Sequence, residues 1–198
     1  MQQGRGPAVC GLILAAGGGT RFGREPKLLA ELNGRPLLEH AVRAQCGVAE
    51  LERVVVVLGG HADAIRAGVD FRCAEVIVCE RWEEGQAASL RCGLEALPDA
   101  GRVIVTLGDE PLITSEVVAR FVTAPPGARA VYNGRPGHPV VLGRDQIRRL
   151  MSLTGDRGAR DLLGDGPNIE LGGERDVGRD VDTTEDLERM RNEARAVV

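Results

Sequence analysis

Leu12–Lys27 reads LILAAGGGTRFGREPK, and the fold turns on it. Val9–Ala15 is a short, nearly continuous apolar run, the pattern of a strand buried on both faces. Gly17, Gly18 and Gly19 follow at once. Glycine admits positive φ and lets backbone N–H groups approach an anion closely. Arg21 and Lys27 add positive charge. Lys27 is the single lysine among 25 basic residues. A codon bias explains the Arg excess equally well. Yet where Arg serves everywhere else, one Lys marks a place that wants a compact ammonium on a flexible stem, as a phosphate-binding loop does. The loop fits neither common nucleotide motif. A G-x-G-x-x-G from Gly17 requires glycine where Phe22 stands, and a Walker A loop requires Gly-Lys-Ser/Thr where Gly23, Arg24 and Glu25 stand. On spacing alone two readings stand: a phosphate-binding loop, which is favoured, and a tight turn with two surface cations.

Working outward, residues 1–7 read as a loose lead-in. Pro36 opens a helix to about Cys46 after an Asn33-Gly34 turn. Arg53–Leu58, with four consecutive valines, is a second buried strand, broken by Gly59-Gly60. A helix over about His61–Ala67 follows. Ala74–Val78 is a third strand, Gln86–Leu97 a helix ended by Pro98, and Arg102–Leu107 a fourth strand stopped by Gly108. Ser115–Val122 is a short helix. This alternation predicts an α/β fold: a Rossmann-like three-layer α/β/α arrangement with a mostly parallel sheet. Ala128–Tyr132 and Pro139–Leu142 flank an Asn133-Gly134 turn as a hairpin or an added antiparallel pair. Asp145–Met151 and Arg157–Leu163 read as short helices and Asn168–Leu171 as an edge strand. Thr183 starts the last helix, with Asp186 in capping-box spacing. No repeat or linker interrupts residues 1–198, so one domain is expected.

Composition narrows the function classes. Five aromatic residues and a net charge of −4 disfavour a nucleic-acid partner, which would use stacking platforms and a basic face. No apolar run approaches the ~20 residues of a membrane helix, and MQQGRGPAVCGL lacks the form of a signal peptide. A soluble cytoplasmic protein is expected. Cys10, Cys46, Cys73, Cys79 and Cys92 include no C-x-x-C and no zinc spacing, and read as buried thiols.

Asp109 follows the strand Arg102–Leu107, where ligands sit in open parallel sheets. It reads equally as a metal-holding carboxylate or a solvated turn residue. Asp180 and Asp182 lie two apart and share a side if extended. Alone, Asp182 reads first as a helix cap, and it gains interest if the fold brings it opposite Asp109. Gln86 and Ser89 open a helix after Glu84-Gly85, suiting a base edge, a phosphate or ordinary capping. His138 reads as a turn histidine before a substrate contact. Asp156, Arg157 and Arg160, around Gly158, suit an acidic ligand or a surface cap.

Taken together, LAAGGGTRFGREPKLL, EEGQAASLRCGL, TLGDEPLIT, GHPVVL, GDRGAR and DVDTTEDL resemble the molybdenum cofactor cytidylyltransferases of the nucleotidyltransferase-like, Rossmann-type superfamily. The resemblance covers nearly the whole chain and implies a fold of the nucleotide-diphospho-sugar transferase type. LAAG is similar to the cytidylyl branch, where the guanylyl branch has LAGG. The resemblance implies that Leu14, Ala15, Ala16, Gly17, Gly18 and Gly19 with Arg21 and Lys27 hold a nucleoside triphosphate, with Gln86 and Ser89 near the nucleotide. It implies that Asp109 and Asp182 hold Mg2+ (or Mn2+). It implies that His138 and the Asp156, Arg157, Arg160 segment face the pterin. CTP, a molybdopterin-type phosphorylated substrate and a client molybdoenzyme are the implied partners, with no nucleic acid and no membrane. Two positions depart from the pattern: Thr184 replaces a proline, and Glu110 replaces a glutamine after the metal carboxylate.

Overall fold

The computed structural model describes residues 8–19, 22, 23, 25–152, 166–171 and 177–195. Its centre is a seven-stranded sheet. Strands β1 (Val9–Ala15), β4 (Arg53–Leu58), β5 (Glu75–Val78) and β6 (Arg102–Leu107) run parallel, β1 lying between β4 and β6. β2 (Glu31–Leu32) and β3 (Arg35–Pro36) form a separate small ribbon across the Asn33-Gly34 turn. β7 (Arg129–Tyr132) and β8 (Arg135–Gly143) form the hairpin expected around Asn133-Gly134, and β8 pairs antiparallel with β6. β9 (Asn168–Glu170) closes that edge, parallel to β7. The sheet is mostly parallel, as the alternation of elements predicted.

The central strands alternate cleanly between two cores. Ile13, Val54, Val56, Leu58 and Ile104 enter one, which α1 (Leu37–Cys46), α2 (Ala62–Gly68) and α4 (Ser115–Ala119) cover. Leu12, Leu14, Val55, Val57, Val103 and Val105 enter the other, under α3 (Gln86–Glu95) and α5 (Arg144–Ser152). Burial on both faces is why these strands read as unbroken apolar runs rather than alternating ones. One polar contact crosses this packing, from Gln45 of α1 to Thr106 of β6. Gln45 is fully buried, and its Nε2 donates to Thr106 Oγ1 at 2.8 Å and to the Leu12 and Ile104 carbonyls at 3.3 Å. Gly11 leaves the room, since a Cβ there would lie 1.7 Å from Gln45 Oε1.

A third, smaller cluster gathers Leu32, Leu37, Val181, Leu187 and Met190. It fastens α6 (Thr184–Arg195) to the β2–β3 ribbon. The expected capping box is present: Thr183 N donates to Asp186 Oδ2 at 2.9 Å and Asp186 N to Thr183 Oγ1 at 3.2 Å.

Two readings are corrected. Four of the five cysteines are paired, Cys46 with Cys73 and Cys79 with Cys92, and Cys10 alone among the described residues is a free, buried thiol. Partners 27 and 13 positions apart carry no local spacing signal. His138 lies in β8 rather than in a turn, because the tight Asn133-Gly134 connection lets pairing resume at Arg135. The Arg157–Leu163 helix expected from the pattern lies outside the described residues. No helix among the described residues is long and apolar enough to cross a membrane.

Candidate active site

β4 and β5 lie to one side of β1 and β6 to the other, so the strand order reverses beside β1, where open α/β sheets bind ligands at the carboxyl ends of their strands. β1 delivers Ala15–Gly17 to this edge and β6 delivers Asp109. The glycine loop is tied down behind: Gly60 N donates to the Ala16 carbonyl at 3.1 Å and Gly108 N to the Leu14 carbonyl at 2.9 Å. Gly19 has φ +58°, whereas a Cβ on Gly17 would meet nothing within 4 Å. Gly17 thus leaves an open approach to the backbone, and only Gly19 needs the left-handed region among the glycines singled out there.

Lys27 begins a short 3-10 turn after Pro26. Its Nζ donates to Asp109 Oδ2 at 2.6 Å and to Asp182 Oδ1 at 3.2 Å. Two carboxylates separated by 73 positions therefore flank one ammonium. Local structure explains the delivery of the second. In Asp180-Val181-Asp182 the middle residue is fully buried in the third cluster, which turns the acids on either side of it the other way. Val181 N donates to the Asp109 carbonyl at 3.0 Å, clamping the segment to the end of β6. Asp182 is not the helix cap, since Thr183 and Asp186 perform that function.

Burial is the largest influence on Lys27 and favours the neutral amine, but the charges and hydrogen bonds of Asp109 and Asp182 outweigh it and raise its pKa. Asp180 is pushed up by burial and by the neighbouring charges of Asp182 and Asp109. Glu110, 4% exposed, is raised chiefly by burial, with His138 partly offsetting it. Its Oε1 lies 3.1 Å from His138 Nδ1, while Oε2 is buried with no hydrogen-bond partner among the described residues. Burial lowers the His138 pKa, but the Glu110 carboxylate more than compensates and the net direction is upward. The pair thus retains a proton beyond the pH at which a free imidazole loses it.

On one side of Asp109 a cleft of about 330 Å³ runs past Leu14, Gly17, Trp82, Gln86 and Ser89. A smaller hollow against Gly17, Gly19, Lys27 and Asp109 continues from it. The structure thus gathers Leu14, Ala15, Ala16, Gly17, Gly19, Lys27, Gln86, Ser89 and Asp109 around one cleft and its extension. Gly18 packs behind, its Cα 3.1 Å from a Cβ placed on Gly60. His138 faces Glu110. Arg21, Asp156, Arg157 and Arg160 lie outside the described residues. Sequence reading missed Trp82, the only tryptophan, which walls the cleft. A Cβ at Gly59 would lie 2.5 Å from its Cγ, so the Gly59-Gly60 break in the sequence was the available signal.

No set of three or more His, Cys, Asp or Glu side chains that could hold a metal ion occurs among the described residues. The donor set that does converge is two carboxylates already sharing one cation. That suits a hard divalent ion such as Mg2+, which takes few protein carboxylates and completes its shell with phosphate oxygens and water.

The sequence profile of the MobA-like NTP transferase domain matches residues 11–170. Nicotine blue oxidoreductase of Paenarthrobacter nicotinovorans is 33% identical over 198 aligned positions, covering 93% of this chain and 97% of that protein. The crystal structure of Rv0371c from Mycobacterium tuberculosis H37Rv superposes with a TM-score of 0.81 at 30% identity, over 95% of this chain and 99% of the other. A second structure of Rv0371c, in complex with manganese, superposes with a TM-score of 0.76 at 28% identity, over 93% and 98%.

Proposed function

This chain belongs to the MobA-like NTP transferase family, a nucleotidyltransferase family, and on that premise we propose that it transfers CMP from CTP to molybdenum-molybdopterin. The products are molybdopterin cytosine dinucleotide and pyrophosphate. The observation that carries the reading is the Lys27 ammonium held between Asp109 and Asp182 where the cleft meets the glycine loop.

The terminal phosphate monoester of the pterin attacks the α-phosphorus of CTP. A new P–O bond forms, the bond between the α-phosphorus and its bridging oxygen breaks, and pyrophosphate leaves with the electron pair. A phosphate monoester is already a nucleophile at neutral pH, so no deprotonating side chain is required. Alignment and charge neutralisation are the protein's contribution. The Ala15–Gly19 backbone seats the triphosphate. Lys27, with Arg21, neutralises the departing pyrophosphate. Gln86 and Ser89 bound the nucleotide at the start of α3. Asp109 and Asp182 would hold Mg2+, as manganese in the Rv0371c complex encourages. When bound, that ion offsets charge building on the α-phosphate. The LAAG form of the first motif favours CTP over GTP, and His138 with the Asp156–Arg160 segment is assigned to the pterin side.

The test is a panel of CTP, GTP and ATP with molybdopterin-loaded acceptor, scored by pyrophosphate release. Fastest release with CTP, dependent on Mg2+, is expected. Release with a sugar phosphate but not the pterin moves the acceptor, and nucleotide binding without release under any acceptor removes the catalytic reading.

A second reading rests on the relative named nicotine blue oxidoreductase, identical at one third of aligned positions across nearly the whole chain. It predicts reductant-dependent loss of nicotine blue absorbance. The convergence of Lys27 with two carboxylates favours phosphoryl chemistry over it, since hydride transfer has no need of an acid pair.

A further inference from the structure

Beyond Asp180 lies a second cavity, of about 420 Å³, bordered by Tyr132, Arg135, Gly137, Arg179, Asp180 and Arg189. Each cavity borders one acid of the carboxylate group, and the two share no lining residue. The nucleotide cleft borders Asp109, and this one borders Asp180, two residues from Asp182. Three guanidiniums and one carboxylate line it, with Glu193 paired to Arg179 and Asp186 beside Arg189 just behind.

Its wall is fixed. A Cβ on Gly178 would lie 2.2 Å from the Tyr132 ring, and one on Gly137 3.0 Å from it, so both glycines pack directly on the phenol. The Tyr132 hydroxyl donates to the His138 carbonyl at 2.5 Å. Arg179 is held too, its two Nη atoms 2.7 and 3.2 Å from the Glu193 carboxylate. Arg189 is held loosely. Its Nη2 lies 3.6 Å from Asp186 Oδ1, on a carboxylate whose other oxygen accepts from Thr183 and Asp182. Such an exposed contact contributes little and gives way readily to a stronger anion.

We propose that this cavity is the acceptor's site, and that Arg135 and Arg189, against the fixed Arg179, grip the acceptor by a phosphate monoester. The proposal rests on the nucleotidyl-transfer reading above and extends it. Guanidinium forks match phosphate oxygens in pairs, whereas a neutral sugar or pterin ring offers them nothing comparable. A phosphate held here borders Asp180 and touches none of the glycine-loop residues assigned to the departing pyrophosphate. The in-line displacement of phosphoryl transfer wants that separation of nucleophile and leaving group.

The probe is inorganic phosphate, titrated calorimetrically into the full chain. One series is saturated with α,β-methylene-CTP and Mg2+, so that the triphosphate seat is filled, and a second lacks nucleotide. Wild type is compared with Arg135→Gln/Arg189→Gln, and with Arg135→Lys/Arg189→Lys in case the first variant does not fold. Loss of two charge-assisted contacts predicts phosphate binding weakened at least about tenfold in the Gln pair and by less in the Lys pair. Phosphate affinity within about twofold of wild type, or no phosphate binding by wild type, overturns the assignment. Arginine-dependent phosphate binding without pyrophosphate release from any phosphorylated acceptor would support the cavity and sink the transfer reading. Pyrophosphate release with an unchanged acceptor KM in the variants would do the opposite.

Discussion

Lys27→Met removes the ammonium while keeping most of the apolar stem, and its effect on metal affinity has the less intuitive sign. Lys27 Nζ lies 2.6 and 3.2 Å from Asp109 and Asp182. At ~3 Å and an effective dielectric near 40, between protein surface and water, each contact carries about 3 kcal/mol of Coulomb energy. Desolvating a lysine side chain only 12% exposed removes much of that, and solvent screens Asp182, whose side chain is 41% exposed. About 1–2 kcal/mol then remains to be overcome by any cation that displaces the ammonium. Without nucleotide, Lys27→Met is therefore expected to bind Mn2+ about tenfold more tightly than wild type. Turnover is expected to fall about 10²–10³-fold, because the donor proposed to neutralise the leaving group is gone. Calorimetric Mn2+ titration reads the first effect and pyrophosphate release the second. Unchanged or weaker Mn2+ binding would refute the idea that ammonium and metal compete for one pair of acids.

Asp109→Asn is expected to abolish Mg2+-dependent turnover, and an undiminished rate at any Mg2+ concentration would count against its role. Trp82, the sole tryptophan, borders the cleft beside Asp109 proposed for the nucleotide, so its fluorescence should change saturably on adding CTP; a silent signal at concentrations that support turnover would argue that the nucleotide binds elsewhere. The Glu110–His138 pair has a pH signature. Both groups have raised pKa values in the fold, above ordinary values of 4.5 and 6.5. Groups raised on folding contribute stability that is complete below their unfolded pKa and is lost as pH rises through the folded one. In Glu110→Gln the charge and hydrogen bond that do most to raise His138 are absent, so burial opposes only the weaker pull of Asp109. The Tm of wild type relative to Glu110→Gln should therefore fall as pH rises from 4.5 past 6.5, and parallel Tm curves would contradict the pairing.

The strands were legible because burial on both faces writes itself as an unbroken apolar run. The bounds of Val9–Ala15, Arg53–Leu58 and Arg102–Leu107 coincide with the observed strands. Helix ends were less so: the helix read to Val122 stops at Ala119. The meeting of Asp109 with Asp182 lay beyond local reading, because it depends on the buried Val181 and on one backbone hydrogen bond across the fold. Spacing alone reads Asp182 first as a helix cap. The disulfides and the cavity beside Asp180 are likewise products of tertiary proximity. Arg135 and Arg189 are 54 positions apart, and nothing local distinguishes either from the other arginines.

The most direct measurement follows the label. CTP carrying ³²P at the α position, incubated with enzyme, Mg2+ and molybdopterin-loaded acceptor, should place radioactivity in the pterin dinucleotide, while γ-labelled CTP should yield labelled pyrophosphate and no labelled dinucleotide. Label remaining in CTP under both conditions, or appearing as free CMP with no acceptor adduct, would contradict nucleotidyl transfer to the pterin.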